Sequence, residues 1–271
     1  MNMQKTFLTI LWALFVFFIG WFFWIYITGN TQHPLNLYSN TYGIIPLLGG
    51  LYGLFLAQHW GGMESKVGKA IIFLSLGLIT WGIGMVIWLY YNIVLDVSVP
   101  YPSLADAAFI LSWPLWGIGA AFLSIATGAK FGAKNLKGRL LLFIIPIIVI
   151  AFSYYFLVTV ARQGTISSYE GSLKTFFDLA YPIGDVVILS IALLIFGLSY
   201  RYFGGIYKMA IYLILFAFVV NYFADFTFSH TTTLETYYNG SLADALFVAT
   251  MTILGTGIAL LDPKKLEEPK I

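Results

Sequence analysis

Six aspartates are the residues through which this chain could do chemistry: Asp96, Asp106, Asp178, Asp185, Asp225 and Asp244. With Glu170 and Glu235 they form the acidic set that falls between or near the ends of long apolar runs. Carboxylates can ligate cations, hold protons or cap helices, and spacing separates these uses. Ser103-x-x-Asp106 and Ser241-x-x-Asp244 have the spacing of a capping box, with an acid suited to the positive end of the helix dipole. Both are expected to cap first and to line a binding site second. Asp96 is expected to mark the wet end of its helix. Asp185 and Asp225 differ because each lies well inside an apolar run. Asn92 and Asn221 stand four residues before Asp96 and Asp225, on the same helical face. With Tyr181 they are the candidate hydrogen-bonding partners of the acids.

Other chemistry is thinly supplied. The chain has no cysteine, which removes disulfides, thiolate metal sites, iron–sulfur ligation and thiol nucleophiles. His33 and His230 lie on the same side of the runs as Asp225 and could complete a divalent-metal site with it, although no close ligand spacing links them. His59, beside Trp60, is expected to be an interfacial anchor. No intramembrane histidine pair offers haem ligation, no mid-helix lysine offers a retinal Schiff base, and no nucleophile–base pair, P-loop or dinucleotide fingerprint is present. No cofactor and no catalytic residue is expected.

The elements that must position these acids follow from composition. Of 271 residues, 60% are hydrophobic and 10% charged, with a mean hydropathy of +0.87. Soluble domains carry about 25% charged residues, so most of this surface is expected to face lipid. An aromatic share of 18% suits many membrane interfaces. Net charge is +2 with dispersed basic residues, which argues against a nucleic-acid partner. Apolar runs at 6–28, 42–60, 69–95, 104–127, 139–161, 176–199, 207–229 and 242–261 approach the roughly 20 residues a spanning helix needs. The first is too long for a signal-peptide core and is expected to be retained. The spacing therefore predicts an all-α, multi-pass membrane protein of about eight transmembrane helices, forming a single domain over 1–271.

Orientation comes from the basic residues. With the N-terminus inside, the inner segments hold Lys5, Lys66, Lys69, Lys130, Lys134, Lys137, Arg139, Arg201, Lys208, Lys264, Lys265 and Lys270, and the outer segments only Arg162 and Lys174. This positive-inside asymmetry predicts both termini in the cytoplasm of a cell-membrane protein, with the acids outside. Counting about 1.5 Å per residue from Arg201 and Lys208 puts Asp185 and Asp225 roughly 24 and 26 Å up their helices, just inside a hydrocarbon core of about 30 Å. No lysine or arginine stands at that depth in sequence, so each must face a cavity or a partner.

A repeat runs through the same residues. Asn92-x-x-x-Asp96 with Ser103-Leu104-Ala105-Asp106-Ala107 returns as Asn221-x-x-x-Asp225 with Ser241-Leu242-Ala243-Asp244-Ala245. A weaker copy pairs Tyr90-Tyr91 with Tyr154-Tyr155, and Tyr101-Pro102 through Asp106 with Tyr181-Pro182-Ile183-Gly184-Asp185. The expected unit is a helical hairpin repeated in parallel near 69–127, 139–199 and 207–261, unlike the inverted repeats of many transporters. Tyr101-Pro102-Ser103-Leu104-Ala105-Asp106, with Trp113-Pro114-Leu115-Trp116 following, resembles the polytopic membrane regions found ahead of output domains in some prokaryotic diguanylate cyclases and histidine kinases. The resemblance implies a sensor-type membrane module. No cyclase, kinase or phosphoacceptor sequence follows Asp262, so its signal is expected to pass to a partner protein. The reading is a non-enzymatic module whose acidic and aromatic pocket opens outward and takes a cationic or amphipathic small ligand. A transporter using the same aspartates, or a structural subunit of a membrane complex, are the rival expectations.

Overall fold

In the computed structural model, residues 3–31, 37–127, 129–166, 171–199 and 206–263 are described, except for the side chains of 39, 40 and 130. Eight helices of fifteen residues or more carry the fold: α1 (Met3–Thr28), α2 (Ile44–Gln58), α3 (Lys66–Leu89), α4 (Leu104–Ala126), α5 (Leu136–Ser153), α6 (Ser172–Ser199), α7 (Lys208–Thr233) and α8 (Leu242–Ala259). No strand occurs among the described residues. Seven of these helices are long and apolar enough to cross a membrane, as expected of a multi-pass protein.

The exception is α2. Its 15 residues reach about 22 Å, short of a bilayer core by themselves. Its flanks supply the missing length. The Tyr42 hydroxyl donates to Asp244 in the first turn of α8, and Trp60 Nε1 donates to the Leu261 carbonyl past the end of α8. Helix α2 with its two turns therefore runs the length of α8.

Helix starts follow from local polar groups. Ser65 and Asn135 accept from the Gly68 and Gly138 amides at the heads of α3 and α5, which leaves fewer orphan donors in each first turn. Helix α3 passes into a π-helical turn at Tyr90–Val94 and α5 into another at Tyr154–Val160. Both begin on the Tyr-Tyr pairs that the sequence repeat aligned.

Helix α8 is the centre of the molecule, with most of its side chains buried, and it packs against α1, α2, α3 and α7. Helices α1 and α5 are peripheral. The buried residues of α1 are Gln4, Leu11, Phe18 and Ile25, a strict seven-residue spacing that suits a shallow left-handed crossing. Aromatic rings tie the interior together. Trp81 of α3 lies 5.3 Å from both Phe109 of α4 and Phe247 of α8, and Trp116 of α4 lies 5.9 Å from Phe218 of α7. Gly77 of α3 sits so close to Trp116 that any Cβ there would enter the indole ring. Along α2, Gly49 approaches the Gly255 backbone and Gly53 the Ser75 side chain, the close packing small residues permit between membrane helices.

The two ends of the bundle differ. One end carries lysines laid over aromatic rings: Lys66 and Lys69 over Phe122, and Lys208 over Tyr212, at 5.5 to 5.7 Å. Here Gln4, Trp60 and Tyr207 donate to the Ala259, Leu261 and Asp262 carbonyls, which satisfies the last turn of α8 and the residues after it. Burial and the nearby Asp262 push the Tyr207 phenol up, so it remains a donor. The other end gathers Asp106, Asp178, Asp185, Asp225 and Asp244.

Candidate functional site: a carboxyl pair between two helices

The acids resolve into two clusters. In the first, Ser103 and Asp106 form the expected capping box. Ser103 Oγ accepts from the Ala105 amide, and Asp106 Oδ2 accepts from the Ser103 amide and hydroxyl at 2.7 and 2.9 Å. The Tyr181 hydroxyl of α6 adds a third contact to Asp106, on Oδ1 at 2.9 Å, joining α4 to α6. Tyr181 lies close enough to feel the Asp225 charge as well.

Behind this cap, Asp185 of α6 and Asp225 of α7 bring their carboxyl groups within hydrogen-bonding reach of each other. Asp185 is 3% exposed and Asn221 2%. Asn221 Nδ2 donates to Asp225 Oδ2 at 2.6 Å across one turn of α7, the partnership its spacing predicts. Asp185 Oδ1 receives no N–H or hydroxyl from the described residues, and neither does Asn221 Oδ1, although both are buried. One turn inward, the Tyr222 hydroxyl donates to Ser153 of α5 at 3.1 Å, and its ring feels the Asp185 charge.

The sequence missed a cation here. Arg162, at the end of the π-helical turn after α5, acts on Asp185 through its charge. It donates to the Asp178 carbonyl at 2.6 Å, to the Ile166 carbonyl at 3.3 Å and to Ser229 of α7 at 3.4 Å. Depth counted along a helix could not show this, because Arg162 reaches the pair from another element. Tyr101 closes the same region by donating to Asp178 at 2.8 Å, and burial with that bond pushes its phenol up.

The second cluster is built around Asp244, which is 2% exposed. Its Oδ2 accepts from the Gly240 amide at 2.6 Å, and the Tyr42 and Tyr237 hydroxyls donate to Oδ1, each at 3.2 Å. Gly240 holds φ +87, and a Cβ there would strike Ile25 of α1, so the turn that delivers its amide needs glycine. The capping box expected at Ser241 does not form. Ser241 Oγ is buried without a partner, because Asp244 takes its donors from the tyrosines and Gly240 instead.

Several expected site members stand apart. Asn92 lies in the π-helical turn, half-buried, and Asp96 is exposed beyond it at φ 51, so this copy of Asn-x-x-x-Asp does not take the α-helical form seen at Asn221 and Asp225. The wider π turn breaks the four-residue alignment of their side chains. His33 and Glu170 fall outside the described residues. His230 stacks on Phe226 at 5.9 Å with its Nδ1 buried and unpartnered, and no group of three or more metal-ligating side chains gathers among the described residues. Two hollows lie elsewhere: an apolar groove on α1, lined by Val16, Phe17, Gly20, Trp21 and Trp24, and a small recess among Met3, Gln4, Tyr52, Phe55, Leu56, His59 and Asp262. Asp106, Asp185 and Asp225 share one cluster, while Asp244 belongs to another on different helices.

No protein-family model, curated protein or solved structure matches the chain. The geometry alone must carry the functional reading.

Proposed function

We propose that this chain is a non-enzymatic, sensor-like module of the cell membrane, with eight membrane passes, both termini cytoplasmic and the acidic end outside, whose binding site for a cationic ligand is the Asp185–Asp225 pair. One observation carries the reading: two carboxyl groups face each other between membrane helices, and Asp185 Oδ1 accepts from no described N–H or hydroxyl. Helix packing gains nothing from such a pair, because interhelical polar contacts in membranes average only about 0.6 kcal/mol even when donor meets acceptor. Two ionised carboxylates about 3 Å apart repel by roughly 5 kcal/mol at an effective dielectric near 20. The sidedness rests on the twelve-to-two distribution of basic residues. The resemblance of the Tyr101–Trp116 stretch to membrane sensor regions supports the same reading, with output through a protein partner.

The test is thermal stability in detergent, screened against metal cations, amines and charged amphiphiles. At least one of these should raise the wild-type Tm, the rise should vanish in Asp185→Asn and Asp225→Asn, and it should persist in Asp106→Asn. Equal shifts in wild type and both pair variants would make the pair structural.

A further inference from the structure

We propose that the turn between α4 and α5 is a docking surface for anionic phospholipid headgroups, gripped by Lys134, Lys137 and Arg139 while Phe131, Leu136 and Leu140 enter the bilayer beside them.

The charge is one-sided. Lys130, Lys134, Lys137 and Arg139 lie within ten positions, and no acidic residue occurs between Asp106 and Glu170. Two of these cations stand where the fold itself disfavours them. Asn135 caps α5 by accepting the Gly138 amide, so Lys137 and Arg139 sit near the positive end of the helix dipole, and the first turn holds no acid. Helices that begin at the other end do the reverse: α4 and α8 carry Asp106 and Asp244 in their first turns. Cations set against their own dipole call for an anion from outside the chain.

The turn is also held in place. A single helical turn, Ala129–Gly132, leads from α4 toward α5. Its Gly132 lies so close to the Leu198 carbonyl of α6 that a Cβ would overlap it, and Gly138 lies equally close to the Gly132 carbonyl. The cations therefore ride on backbone pressed against the end of α6, which lowers the ordering cost of binding.

The apolar neighbours select the occupant. Phe131 is 49% exposed and Leu136 74%, and Lys134 Nζ lies over the Phe131 ring at 5.6 Å. Leu140 continues this strip onto the outward face of α5, where Phe143 and Ile147 are exposed as well. A nucleic acid or an acidic peptide would meet the cations and leave these side chains in water. The edge of an anionic leaflet meets both, with the basic heads at the phosphates and the apolar groups below them. Depth agrees. Leu136–Val160 has 25 residues, which at about 1.5 Å each exceeds a hydrocarbon core of about 30 Å, so the head of α5 reaches headgroup level.

The test titrates the full chain in neutral detergent with phosphatidylglycerol or phosphatidylcholine and follows Tm. Each basic side chain at the surface favours the anionic lipid by about fivefold, so the three together should lower the midpoint for phosphatidylglycerol about a hundredfold at low salt. Replacing all three by glutamine (K134Q, K137Q and R139Q) should bring the two lipids level, while the charge-keeping set K134R, K137R and R139K should retain the preference. Lys174→Gln, near the acidic end, should change nothing. If the glutamine variant does not fold, salt serves in its place: in 1 M sodium chloride, where the Debye length is about 3 Å, the wild-type preference should collapse. Equal midpoints for the two lipids in the wild type, or a preference that survives the glutamine set, would overturn the proposal. So would inorganic phosphate or an RNA oligonucleotide matching phosphatidylglycerol at the same concentration.

Discussion

Asp244 and Asp185 are equally hidden, yet their surroundings are opposite. Asp244 faces donors only: two tyrosine hydroxyls and a glycine amide converge on it from two parts of the chain. Both carboxyl oxygens are thereby satisfied in place. Asp185 faces another acid. The contrast teaches that depth in a membrane protein does not identify a working carboxylate, since both clusters are deep. The count of donors does. A saturated acid is a fastening, while an acid offered another acid keeps room for a further donor.

The largest expected effect that would sharpen this contrast is at Asp244. Truncation by Asp244→Ala strands the Tyr42 and Tyr237 hydroxyls and the Gly240 amide, and should cost about 3 kcal/mol or more. Asp225→Asn, which offers Asp185 an amide in place of a second acid, should leave Tm unchanged or raise it. If both substitutions destabilise alike in a detergent melt, the distinction between the clusters collapses. Next comes Tyr42→Phe, which removes one donor of three and should cost about 1 kcal/mol by the same measurement. Asp106→Asn should cost less than about 0.5 kcal/mol, because asparagine caps nearly as well as aspartate. The smallest effect is no energetic effect at all. Single cysteines at Lys134, Thr165 and Thr232 should fold normally, and the last two alone should react with an impermeant thiol reagent on intact cells. Labelling of residues 134 and 165 from the same side would place the two ends of α5 on one face of the membrane and remove the meaning of an outer acidic cluster.

Much of the fold was legible because lipid imposes length. The apolar runs at 104–127 and 139–161 reappear as Leu104–Ala126 and as Leu136–Ser153 with its π-helical extension to Val160. The Ser103 cap was legible too, since it is a local bond across three residues. Helix facing was not. An amphipathic helix reveals its inner face by an apolar stripe, whereas a helix apolar all round gives no such sign. That is why Tyr42 and Tyr237 were not connected with Asp244, the former 202 positions away. Arg162 was invisible for the same reason, because depth counted along α6 and α7 takes no account of a side chain entering from the end of α5. The span at 42–60 was longer than its helix: Ile44–Gln58 is helical, and the turns at either side carry Tyr42 to Asp244 and Trp60 to Leu261. At Ser241 the motif misled. Identical tetrapeptides, Ser-Leu-Ala-Asp, formed a capping box at one site and gave way to tyrosines and a glycine amide at the other.

Helix α8 is fastened at both of its ends, by the Asp244 cluster at its head and by Gln4, Trp60 and Tyr207 at its tail. In mechanical terms it is a stator. Four neighbouring helices lean on it, and a rigid post gives any displacement elsewhere a fixed reference. The carboxyl pair lies off this post, between α6 and α7, with Arg162 bridging from the end of α5. A change there would therefore shift α5 and α6 against a frame that holds still, and the shift would be greatest at the ends of those two helices farthest from α8's fastenings.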